Sequence, residues 1–132
     1  MLATSYTLNA VTDHDFTKTT ERVRAELKAE GFGVLCEIDV QATLNKKLGV
    51  EREPYVILGA CNPPLAHQAL ETEPELGVLL PCNVTVYERE GHTHIAAIDP
   101  KRMLSIVDNP ALTPIATDVR ERLARVVARA AA

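Results

Sequence analysis

Three groups of side chains in this sequence have the types and spacing to do chemistry. The first is Cys61, followed by Asn62-Pro63-Pro64. Asparagine is a favoured helix cap and proline suits a first helical turn, so a helix should start here with Cys61 just before it. Amide N–H groups and the helix dipole at such a start favour negative charge, on a bound anion or on a thiolate. Cys61 and Asn62 are therefore candidate ligand-binding residues, and Cys61 is also a candidate metal ligand. His67, one turn further on, joins them as a base for a nucleophilic thiol, with Asn62 or backbone N–H groups as oxyanion donors. The competing reading makes Cys61 a small buried hydrophobe that ends a central strand.

The second group is Glu37 and Asp39, two apart on an expected strand and so on one face, with Cβ atoms about 7 Å apart. Such a pair suits a hard cation or divided acid and base roles, and both residues are candidate ligands. Two plainer alternatives stand beside this. Asp39 caps a helix beginning near Gln41, and Glu37 pairs with a lysine or arginine. The third group is His92 and His94, candidate metal ligands that share a face with Tyr87 and Thr85 if the intervening hairpin loop is even. The alternative is an exposed strand end. By parity Cys82 lies with Val84 and Val86, and Cys36 with Val34 and Ile38, so both are expected inside. No two cysteines have C-x-x-C spacing.

These groups need elements to hold them. Thr4–Ala10 alternates as a strand. A helix follows over about 13–30, begun by Thr12 with Asp15 as its capping-box acid and ended by Gly31. Phe32–Val40 is a strand with Phe32, Val34, Cys36, Ile38 and Val40 on one face. A short helix then carries Leu44 and Leu48 and stops at Gly49. Tyr55–Cys61 is apolar on both faces, as a central strand would be. The Asn62-capped helix runs to about Thr72. Leu76–Glu88 and His92–Asp99 form a hairpin around Glu90-Gly91, closed by Pro100. An amphipathic helix spans Pro114 to about Ala130, with Ile115, Val119, Leu123, Val126, Val127 and Ala130 along one stripe. The order β-α-β-(α)-β-α-β-β-α predicts an α+β fold: a single two-layer domain over residues 1–132, a mostly antiparallel sheet, and helices on one face. The other sheet face is left for a second subunit.

Composition sets outer limits. The chain has 132 residues, 46% of them apolar, with no tryptophan, three tyrosines and two phenylalanines. Its core must be built from Val, Leu, Ile and Ala. A formal net charge of -4 argues against a nucleic-acid partner. The arginines at 120, 122, 125 and 129 read as a solvated helix face. No apolar run approaches the roughly 20 residues of a membrane span. Met1–Ala10 lacks the basic start and apolar stretch of a secretory signal. Three cysteines are too few for a disulfide framework, which points to a reducing cytoplasm.

Four segments carry a resemblance: G-F-G-V-L-C-E-I-D-V-Q-A-T-L from Gly31, Y-V-I-L-G-A-C-N-P-P-L-A from Tyr55, L-L-P-C-N-V-T-V-Y-E from Leu79, and A-I-D-P from Ala97. In order and gaps they resemble the domain of unknown function 302 family. The resemblance implies a small bacterial or archaeal α+β domain of β-α-β4-α arrangement, generally dimeric. It implies no reaction, substrate, cofactor or catalytic residue. Residues and resemblance together point to a homodimeric small-anion or metal-ion binding or sensor module, with its site near the Cys61-Asn62-Pro63 turn. The alternatives are a thiol-dependent enzyme using Cys61, which is less favoured, and a purely structural interaction protein.

Overall fold

Apolar alternation and tight turns draw five strands into one sheet in the computed structural model, which describes residues 4–132. The elements are β1 (Thr7–Thr12), α1 (Phe16–Ala29), β2 (Gly33–Asp39), α2 (Val40–Leu48), β3 (Tyr55–Cys61), α3 (Pro63–Thr72), β4 (Cys82–Arg89), β5 (His92–Ile98), α4 (Pro100–Ser105) and α5 (Thr113–Ala131). Turns of 3-10 helix fill Pro74–Leu79 and Pro110–Leu112. The strand order is β1-β5-β4-β3-β2, antiparallel at every step. The expected α+β two-layer architecture is therefore present. Among the described residues no helix is long and apolar enough to cross a membrane.

The two sheet faces differ sharply. Val56, Leu58, Ala60, Val84, Val86, Ile95 and Ala97 point to one side and are almost wholly buried beneath α1 and α5. On α5, Val119, Leu123, Val126 and Val127 complete this core. Each of the valine, leucine and isoleucine side chains stabilises the fold by about 1.5–3 kcal/mol, whereas an exposed ion pair contributes about 0.2–1 kcal/mol. Packing thus holds α5, and its arginines only set its position. The opposite face, with Ile57, Thr85, Tyr87, His94 and Ala96, is half-buried, and among the described residues no helix lies across it.

Several local expectations need correction. Asp15 is itself the cap of α1, accepting from the Lys18 N–H at 2.7 Å, because the chain is still extended at Asp15. β1 begins at Thr7 rather than Thr4. Leu76–Leu79 belongs to a 3-10 helix that opens at Pro74, where a proline suits the first turn, and β4 begins only at Cys82. Most consequential is an irregularity in β2 between Val34 and Cys36. One extra residue there reverses the alternation. Val34 stays on the helix face opposite Ala60, while Cys36 and Ile38 move to the open face opposite Gly59 and Ile57. Cys36 is consequently exposed, not interior. β4 runs one residue beyond the expected Glu88, so the hairpin loop is the two residues Glu90-Gly91, both at positive φ, 53° and 79°.

The arginines of α5 are engaged rather than merely solvated. Arg125 donates to both carboxylate oxygens of Glu30, at 2.9 and 2.8 Å, and Arg129 reaches the same group at 3.4 Å. Arg122 donates to the Glu30 carbonyl at 2.8 Å, and Arg120 to Asp99. The Arg125 hydrogen bonds hold the buried Glu30 carboxyl below its ordinary value, against the opposing effect of burial. A carboxyl depressed in the folded state adds stability that is complete above its unfolded pKa and fades as pH falls through the folded value. Glu30→Gln is expected to lower the melting temperature by a few degrees at neutral pH. Scanning calorimetry should find the difference shrinking below the ordinary glutamate range. A gap that stays constant in acid contradicts this assignment.

Candidate functional site

β3 delivers Cys61 to the end of the sheet, and Asn62 turns the chain into α3. Asn62 is 8% exposed and accepts from the Leu65 N–H through Oδ1 at 3.3 Å. The expected cap is therefore present, but its consequence for anions is reversed. Pro63 and Pro64 have no N–H to offer. The Leu65 N–H is taken by the Asn62 side chain, and that of Ala66 by the Asn62 carbonyl at 2.9 Å. No amide of this first turn is left for an anion or an oxyanion, so the helix start gives neither reading its support. His67 is exposed on α3 and lies outside the cavity that Cys61 borders.

That cavity is the main feature of this region. It has a volume of about 340 Å³ and lies between the sheet end, α3, α4 and α5. Phe32, Ala60, Cys61 and Cys82 line its sheet side; Leu65 and Ala69 come from α3, Met103 from α4, and Val119 from α5. No charged residue lines it. Cys61 is half-buried at its edge. Cys82 is buried, as its parity predicts, and burial pushes its thiol up to about 11, so it is protonated at neutral pH.

The carboxylate pair is consumed structurally. Glu37 forms an ion pair with Arg24 of α1 at 2.8 Å. Asp39 caps α2 by accepting from the Ala42 N–H at 2.9 Å. Both plainer readings thus describe what these side chains do.

The histidines lie at the other end of the sheet. Tyr55, Tyr87 and His94 occupy one transverse row and stack, with ring centroids 5.0 and 4.9 Å apart and planes within 12° and 5°. Arg52 covers the far face of Tyr55 at 5.2 Å. Burial, aided by Tyr55, raises the Tyr87 phenol, so it stays neutral near pH 7. His92 approaches Asp13 at 3.4 Å in an exposed pair. Six residues of strand separate the Tyr55 row from Cys61, about 20 Å by strand rise. Cys61, His92 and His94 therefore do not meet in one metal site. Among the described residues no three His, Cys, Asp or Glu side chains cluster to hold a metal ion.

Close packing also marks the open face near Cys61. A Cβ on Gly59 would stand 2.6 Å from Cys36 Sγ and 2.9 Å from Pro81 Cγ. Gly59→Ala is expected to cost about 1–3 kcal/mol through overpacking, read from urea unfolding. Combining it with Cys36→Ala should recover part of that loss; strictly additive effects would mean that the sulfur is not the obstacle.

Sequence reasoning expected a site near the Cys61-Asn62-Pro63 turn but missed the cavity's other walls, which come from segments far apart in the chain. The aromatic row was partly foreseeable, since Tyr87 and His94 face each other once the hairpin loop has two residues.

A family model described as "Domain of unknown function DUF302" matches residues 8–130. A crystal structure described as an uncharacterized conserved protein DUF302 from Bacillus stearothermophilus superposes with a TM-score of 0.90 at 34% sequence identity. That match covers 96% of this chain and 99% of the other. No curated protein matches.

Proposed function

The chain belongs to the DUF302 family, and on that premise we propose that it is a homodimeric binding module whose ligand site is the cavity beside the Cys61-Asn62-Pro63 turn. The cavity carries this reading. Ligand sites are concave and mostly apolar, with volumes of roughly 300–1,000 Å³, and about 340 Å³ falls within that range. Binding is favoured over thiol catalysis because Asn62 and the neighbouring amides are committed to capping and His67 lies outside the cavity. The same commitments leave an anion without donors at this turn.

Pairing is supported by the open sheet face. Its half-buried Ile57, Tyr87, His94 and Ile98, with Ile38 at 46% exposure, form an apolar surface that a second copy would cover. Three free thiols support a reducing compartment such as the cytoplasm.

Native mass spectrometry of freshly purified full-length protein tests both parts. The expected spectrum has the mass of two chains plus a retained small molecule that mild activation removes. Chains of bare single mass at micromolar concentration would remove the dimer. Retention of a metal ion in place of an organic molecule would replace the ligand reading.

A further inference from the structure

The cavity beside Cys61 is lined by residues of two apolar clusters. One is the main core; the other is a satellite of Ala69, Leu76 and Leu112 backed by Leu79, Leu104 and Ile115. Phe32, Leu65, Ala69, Met103 and Val119 are among the cavity's walls. Among the described residues no buried side-chain nitrogen or oxygen lacks a hydrogen-bond partner. Asn62, the one amide in the wall, spends its Oδ1 on the Leu65 N–H. No charged side chain lies in this lining to pair with an ion. Nor does it hold water well, since an internal water needs two to four polar partners. Apolar walls with the adaptable side chain of Met103 do suit a hydrocarbon body.

Resting on the reading that this cavity is the binding site, we propose that its ligand is a small, neutral, lipophilic molecule held by shape and dispersion, without an ionic or hydrogen-bonded anchor. A carboxylate drawn fully inside would bury its charge without an ionic partner and so bind more weakly. The protonated Cys82 thiol on the floor is consistent with this preference.

The test is fluorescence titration of the full chain with the neutral probe N-phenyl-1-naphthylamine, followed by displacement with 1-decanol or decanoate below their aggregation thresholds. The expected result is saturable binding of one probe per chain, with 1-decanol displacing it at about tenfold lower concentration than decanoate. Ala69→Trp fills the cavity and should weaken probe binding by about tenfold or more. Ala66→Trp, at a half-buried wall position, serves if Ala69→Trp fails to fold by circular dichroism. His67→Ala on the same helix should change nothing. Equal displacement by decanoate overturns the neutral class while leaving the cavity as the site. Probe binding that survives both tryptophan variants, or no saturable binding, overturns the cavity reading as well. Loss of probe binding as protein concentration rises would give the cavity to a second copy and overturn the proposal.

Discussion

Leu58→Ala should lower the stability of this protein by about 3 kcal/mol, the middle of the range for a fully buried leucine cut to alanine. Leu58 has no exposed surface and sits in β3 between β2 and β4, facing the helices. Its removal forfeits transfer energy and leaves a hole that the pleated neighbours cannot collapse into. Urea unfolding should register a midpoint drop of roughly 1–3 M, for slopes of about 1–3 kcal/mol/M. Ile57, the adjacent residue on the opposite face, is the internal control. In isolated chains Ile57→Ala should cost less than Leu58→Ala, because Ile57 is only partly buried. Equal costs at low protein concentration would contradict the one-sided core described above.

Thr85→Arg should have the other large effect, this time on assembly. Thr85 lies mid-row on the open face, between Ile57 of β3 and Ala96 of β5. Two guanidinium groups brought together across a two-fold interface there would be buried without partners. Dissociation should become at least about a hundredfold easier, measured by sedimentation equilibrium over a concentration series. The circular dichroism spectrum and the urea slope of the dilute protein should stay unchanged. An unaltered assembly state would show that this face is not where two copies meet.

Elements whose limits are set by neighbouring residues were legible in the sequence. β3 ends at Cys61 because Asn62 and two prolines turn the chain, and α3, α5 and the Glu90-Gly91 hairpin follow from equally local signals. The register of β2 was not legible. Nothing around Leu35 announces an inserted residue, and one insertion moves Cys36 and Ile38 across the sheet. Leu76–Leu79 was misread because the alternation of Cys82, Val84 and Val86 was extended upstream into what is a 3-10 turn. At the site, the cap on α3 was readable but its chemistry turned on which N–H groups exist at all. Two prolines occupy the positions where an anion would look for donors. The Glu37–Arg24 pair and the Asp39 cap were both available as plain alternatives, and both are what the side chains do.

The position of β1 bears on how the chain reaches this structure. Strands β2 to β5 form a simple meander, each paired with the next in sequence. β1 instead pairs with β5, joining Thr7 to Ile98 and Thr12 to Thr93. Closing that long loop costs entropy before any pairing repays it. A nucleus should therefore form within the meander, with β1 joining the sheet among the last.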